Sequence, residues 1–312
     1  MLTRRNLILK MNKTDCKLPI NGILLVNKTQ GLSSNAVLQQ AKRLFKAKKA
    51  GHTGSLDPLA TGMLPVCFGE ATKISQFLLD ADKCYLTTGL LGSKTDTADA
   101  LGETIAVCEQ FEISTEQLQS VLAHFMGEIE QIPSMYSALK HKGQPLYKYA
   151  RQGIDISRPA RKITIHSLEL LDFDGRSFAL KVGCSKGTYI RNLVEDIGEL
   201  LGVYAHVTAL HRLHTAGFEQ EEMHTIEQLS ALPDTILESH LIPMEKAIAH
   251  LPDVHLPDAD ICSLRQGKMI PFPTQFESNN GLFRLYDAQG VFIGLGELEG
   301  NSSLKAKRLL AF

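Results

Sequence analysis

The chain reads as an α+β protein: a mixed, largely antiparallel central sheet with flanking helices, followed by a small C-terminal β unit resembling a barrel. Three observations support this. Segments with apolar alternation and segments with helical period are interleaved without a strand–helix–strand rhythm. GTYIRNLVEDIGELLG (187–202) carries an apolar helix face through Ile190, Leu193, Val194, Ile197, Leu200 and Leu201, closed by Gly202. Beyond the proline- and aspartate-rich stretch LPDVHLPDAD (251–260), only short strand-like runs remain: FRLYD, VFIGLGELE and KAKRLLAF.

In chain order, residues 1–18 read as a basic tail with no small-residue cleavage site, within which Met11 is an alternative start. INGILLV (20–26) is a strand. SSNAVLQQAKRLF (33–45) is a helix capped by Ser33 or Ser34, with Val37, Ala41, Leu44 and Phe45 on one face. LPVCF is a buried strand, EATKISQFLLD a helix, and KCYLTTGLL (83–91) an alternating strand. TEQLQSVLAHFM (115–126) is an amphipathic helix. KITIHSLELL and SFALKVGC return to strands, the second alternating at Phe178, Leu180, Val182 and Cys184. The 251–260 stretch reads as a linker, dividing a main domain over 19–249 from a second over 250–312.

Composition excludes several classes. No apolar run approaches the roughly 20 residues that cross a bilayer. Six cysteines lie scattered without a C-x-x-C pair, against a zinc site or disulfide framework and in keeping with a reducing cytoplasm. His206, His211 and His214 match no metal spacing. No dinucleotide or Walker-type glycine loop is present, so neither metal nor cofactor is expected. Net charge is −1, which by itself gives no nucleic-acid signal. The charge is uneven, however: Lys42, Arg43, Lys46, Lys48 and Lys49 crowd eight residues. Residues 131–162 hold seven Lys/Arg and three tyrosines, fitting either a surface insertion or a grip on RNA phosphates and bases.

Three features can carry chemistry. The loop GHTGSLDPLATG (51–62) has glycines at 51, 54 and 62 that permit positive φ and close approach, while Pro58 pushes Asp57 into an extended conformation. The plainer reading is an Asx turn in which Asp57 bonds nearby amides. Arg191 stands near a helix N-terminus, where a cation opposes the helix dipole; its neighbour Glu195 is in the poorer orientation for pairing, so an acid elsewhere, with Asp57 a candidate, is the better partner. Such an Arg lowers a carboxylate's pKa and keeps it ionised, as suits a nucleophile. Tyr85 and Tyr189 complete the set. A glycosidase would want two cooperating carboxylates; one Asp with aromatics better suits a stacked nucleoside.

These residues resemble the TruB-type bacterial tRNA pseudouridine synthases. The likeness runs through NGILLVNKTQGLSS, GHTGSLDPLATGMLPVCFGEATK, DKCY, KTDTADALG, IPSMYSALKHKGQPLYKYARQG, CSKGTYIRNLVEDIG and AHVTALHRL, in that order over about residues 20 to 215. It implies a pseudouridine synthase fold with a PUA-like C-terminal domain. The implied reaction is isomerisation of a T-loop uridine of tRNA to pseudouridine in the cytoplasm by a monomer, without metal or cofactor. By resemblance Asp57 is the catalytic aspartate, Arg191 its partner, and Tyr85 the residue that stacks on the flipped base and is a candidate to take the C5 proton. His52 supports the opened T loop, Tyr189 and Leu210 contact the target nucleotide, and Lys28 lies near RNA or supports the loop. Residues 131–162 then include a loop that closes over the substrate. Thr29, Cys84 and His211 depart from the family pattern, none at the Asp, Tyr or Arg. The competing readings are a tRNA-binding or tRNA-folding protein with secondary catalysis, and a nucleoside hydrolase.

Overall fold

The computed structural model describes residues 20–272, 281–300 and 302–311. The expected tail over 1–18, with Met11 and Cys16, lies outside the described residues. The main sheet is built from β1 (Gly22–Lys28), β2 (Ala50–His52), β3 (Thr61–Phe68), β4 (Lys83–Leu91), β5 (Gly127–Gln131), β6 (Arg161–Phe173), β7 (Ser177–Cys184) and β8 (Ala205–Thr215). Their order is β1-β3-β8-β4-β7-β6-β5, with β2 paired to β3. Every pairing is antiparallel except β3 with β8, which meet in parallel over His211↔Thr61 and Arg212↔Gly62. The mixed, largely antiparallel sheet is therefore as the sequence predicts.

Alternation explains the strands. Phe178, Leu180, Val182 and Cys184 of β7 all face one core and are buried. That core takes in the apolar faces of α1 (Ser34–Leu44), α2 (Thr115–Ala123) and α3 (Ile190–Leu200), and at its edge Tyr85 and Leu210. Ser33, not Ser34, caps α1 by accepting from the Ala36 amide at 3.2 Å. The helix expected over 70–80 divides into a 3₁₀ turn, Gly69–Lys73, and a short helix, Ser75–Asp80.

The opposite face of β1 and β3, through Ile23, Leu25, Met63 and Cys67, packs with Leu282, Phe292, Leu295 and Leu310. The C-terminal unit is thus sealed to the sheet by shared apolar burial. It forms a five-stranded sheet in the order Asp253–His255, Leu282–Tyr286, Phe292–Glu299, Ser303–Leu309, Ile270–Pro271, over a core of its own. The 251–260 stretch is no linker. Val254, on a strand parallel to Leu282–Tyr286, and Leu256 just beyond its end both turn inward, and Pro257 leads into a helix, Asp258–Arg265, whose first-turn Asp258 and Asp260 favour the positive end of the helix dipole. The apparent linker composition is that of a strand end and a helix start.

Helix α3 lies so close to β8 that a Cβ on Gly198 would stand 2.2 Å from the Ala205 nitrogen. Alanine ordinarily gains about 1 kcal/mol over glycine inside a helix, whereas overpacking costs about 1–3 kcal/mol. Contact with backbone, which cannot rotate away, decides the sign. Gly198→Ala is expected to lower the midpoint of urea unfolding. A raised midpoint would show that the helix can lift from the sheet at no cost.

Candidate active site

The glycine-rich loop between β2 and β3 is tethered at alternate residues. Arg212 of β8 donates from its Nη2 to the Gly54 carbonyl at 2.9 Å. The Ser34 hydroxyl takes both polar groups of Leu56, accepting from its amide at 2.7 Å and donating to its carbonyl at 2.9 Å. The Gly31 amide holds the Pro58 carbonyl at 2.8 Å, and the Lys28 ammonium holds the Ala60 carbonyl at 2.5 Å. Leu56, Leu59 and Ala60 anchor the loop in the core. Asp57 is held between these tethers.

The Asx-turn reading fails on this geometry. Among the described residues the recorded partner of the Asp57 carboxylate is Arg191, whose Nε lies 2.8 Å from Oδ2. Two glycines of the loop are conformationally required. Gly54 has φ 77°, and a Cβ there would press on Arg212 Nη1 at 3.2 Å. Gly62 has φ 97° and lies where a Cβ would overlap the Arg212 carbonyl. Gly51 lies in β2 with open space around it and has no such need, contrary to the sequence expectation.

Arg191, the second residue of α3, is buried. Beyond Asp57 its Nη1 donates to the Thr97 carbonyl at 2.5 Å and its Nη2 to the Tyr136 carbonyl at 2.8 Å. Asp99 Oδ2 lies 3.8 Å from Nη1. Glu195 is taken by Lys94 at 3.1 Å, so the partner within the helix is excluded as the sequence argument required. Thr97 and Asp99 belong to KTDTADALG, where Asp99 is itself held by the Leu101 amide and the Thr97 hydroxyl.

Arg191 does not by itself set the ionisation of Asp57. Burial pushes the Asp57 pKa up; Arg191 pulls it down, Asp99 raises it and Lys28 lowers it, and the outcome lies above the ordinary aspartate value. This corrects the expectation of a lowered pKa, because dehydration of the carboxylate outweighs one ion pair. The side chain nonetheless keeps 38% of its surface open, so water limits that dehydration. Burial also pushes the Tyr85 phenol up, leaving it a neutral hydroxyl.

The other predicted residues divide. Tyr85 and Leu210 converge with the Asp57 loop in one apolar cluster. Tyr189 is the N-cap of α3, half-buried beside Ser137. His52 stands at the end of β2 with Nδ1 buried and without a hydrogen-bond partner, its pKa lowered by burial and by Arg212. Lys28 is buried, hydrogen-bonded to the Thr29 and Ala60 carbonyls, with its pKa brought down to about 8 by burial. Of its two expected roles, the geometry is that of loop support. Among the described residues no group of three or more His, Cys, Asp or Glu is placed to hold a metal ion.

The N-terminal domain of TruB family pseudouridylate synthases matches residues 42–190, the C-terminal domain of tRNA pseudouridylate synthase B matches 191–249, and the C-terminal domain of pseudouridine synthase II TruB matches 252–310. The tRNA pseudouridine synthase B of Legionella pneumophila (strain Lens) is 56% identical over 302 residues, covering 97% of this chain and 99% of that protein. The chain belongs to the TruB family. A second member, from Marinomonas sp. (strain MWYL1), is 50% identical over 286 residues, 90% of this chain and 92% of its own. Among solved structures, a chain of a Cbf5-Nop10-Gar1 complex superimposes with a TM-score of 0.70 at 26% identity, over 92% of this chain and 84% of that one.

In this TruB-family site, sequence reasoning missed Ser34, Asp99, Gln131 and Arg212. The Gln131 amide spans the Tyr189 backbone, donating to its carbonyl at 3.0 Å and accepting from its amide at 2.8 Å. Ser34 was legible only as a helix cap, Asp99 only as part of a quoted motif. Arg212 carried one usable signal, a charged residue two positions from Leu210 and so on the same inward face of the strand.

Two outcomes test this site. Lys28→Met leaves buried carbonyls without a donor and is expected to cost about 1–3 kcal/mol in urea unfolding; an unchanged stability would detach Lys28 from the loop. Asp57 with a raised pKa binds its proton more tightly, so the acid limb of kcat/KM is expected to have its midpoint above 3.8. A midpoint at or below that value would mean that Arg191 outweighs burial.

Proposed function

We infer that this TruB-family chain isomerises a uridine of tRNA to pseudouridine, with Asp57 as its catalytic carboxylate and the T loop as its target. The observation that carries the assignment of residues is the 2.8 Å Arg191–Asp57 pair beside the buried phenol of Tyr85. The target base has to leave its stack, at a cost of a few kcal/mol. Stacking on Tyr85 returns about 1–3 kcal/mol of this. Asp57 then acts at the sugar as the N1–C1′ bond breaks, the freed base turns in the pocket, and a C5–C1′ bond forms. The C5 proton leaves to solvent and N1 takes a proton, so the product is an isomer of the substrate.

The surroundings favour stacking over base catalysis for Tyr85. A neutral phenol accepts a proton only after losing its own, and burial opposes that loss. Arg191 orients the carboxylate and compensates its charge as the glycosidic bond lengthens. Tyr189 and Leu210 bound the nucleotide, and His52, neutral and with a free buried nitrogen, faces RNA opened by flipping.

The same reading extends outward. The exposed Arg43, Lys46, Lys48 and Lys49 and the insertion over 131–162 supply local positive charge for phosphates on a chain of net charge −1. The C-terminal five-stranded sheet is read as a PUA-like RNA-binding domain, with the main domain over 19–249 and the second over 250–312. The protein is read as a monomer working in the cytoplasm; no helix among the described residues is long and apolar enough to cross a membrane.

Purified protein incubated with unmodified tRNA carrying C5-tritiated uridine is expected to release tritium. Asp57→Asn should abolish release while retaining tRNA binding. Free uracil would identify a hydrolase, and binding without release a folding protein. Arg191→Lys cannot satisfy the same partners and is expected to lower the rate about 100-fold or more with little change in affinity. An unaltered rate would remove the pair from the mechanism.

A further inference from the structure

Arg212 is fully buried and among the largest such side chains of the described residues, yet no carboxylate is among its recorded partners there. Its Nε donates to the Met63 carbonyl at 2.6 Å, its Nη2 to the Gly54 carbonyl at 2.9 Å, and the guanidinium hydrogen-bonds the Tyr85 hydroxyl. None of these recorded partners is a carboxylate. A buried charge is ordinarily paired with an opposite one, because dehydration otherwise costs several kcal/mol. Here the charge is also felt as a burden by its neighbours: it opposes protonation of Lys28, His52 and Lys83.

The fold makes room for it in a specific way. β8 and β4 pair so that Arg212 stands directly across from Tyr85, and the short parallel contact of β8 with β3 sets Arg212 beside Gly62. Gly54 lacks the Cβ that would press on Nη1. One guanidinium therefore touches the strand that carries Tyr85, the strand that leaves the Asp57 loop, and the loop itself three residues before Asp57. By donating to the phenol oxygen it leaves the phenol's own hydrogen free for another acceptor.

We propose that Arg212 is a positioning residue for the isomerisation, holding the Tyr85 hydroxyl and the Gly54 end of the Asp57 loop in one rigid frame. The proposal rests on the reading of Tyr85 and Asp57 as groups that meet the reacting nucleotide. Arg212 itself acts through these two and takes no part in bond making.

Arg212→Lys replaces a planar five-donor fork by a single ammonium that cannot reach all three partners. In single-turnover tritium release it is expected to lower the rate about tenfold or more while the Kd for tRNA stays within about threefold. In protein labelled at the tyrosine Cζ, with the Tyr85 resonance identified by its loss in Tyr85→Phe, that resonance is expected to shift in Arg212→Lys. A folded variant with an unchanged rate, or with an unmoved Tyr85 resonance, would overturn the proposal. A measurement independent of any Arg212 variant accompanies it: Tyr85→Phe, which removes one oxygen, should displace the Arg212 guanidinium ¹⁵N signals. Signals that stay in place would equally overturn the proposal. Failure of the proposed function would look different, as tritium retained by the unaltered protein.

Discussion

The Arg191 guanidinium lies where four parts of the chain have to meet: helix α3, the Asp57 loop, the 97–99 turn and the root of the 131–162 insertion. A cation buried this deeply is tolerated only if its donors are satisfied, and removing one partner of such a pair typically costs about 3–5 kcal/mol. The constraint runs outward from there. Gln131 fixes the backbone just before Arg191, Asn192 holds the Ile132 carbonyl, and Asp99 is locked within its own turn. The sheet order, with β4 between β7 and β8 and α3 packed over it, brings these segments to one place.

Against this fixed cation the Asp57 loop is presented rather than folded on itself. Tethers at 54, 56, 58 and 60 come from β8, α1, the turn after β1 and β1, so the loop's shape is dictated by its neighbours. The carboxylate is left with a cation beside it and part of its surface open. Burial raises its proton affinity and Arg191 lowers it, and burial is the larger of the two.

Much of the architecture was legible from side-chain period. The alternation of KCYLTTGLL marks the strand that forms and the apolar face of 190–201 marks α3, because burial on one side leaves a pattern in any single segment. Where polar content served other ends, the reading failed. The aspartates and prolines of 251–260 looked like a linker but start a helix and end a strand. Ser34 looked like a cap but serves a loop twenty-two residues away.

The sequence alone determined the strand and helix periods, the singular placement of Asp57 before Pro58, and the inference that Arg191, at a helix N-terminus, seeks an acid outside its helix. These are local properties, written in neighbouring residues. Only the tertiary structure decided that the acid's proton affinity is raised rather than lowered, that Lys28 turns inward, and that Arg212 stands across from Tyr85. Each of these depends on how much water the surrounding segments exclude and on strand register, and both are set by contacts between residues far apart in the chain.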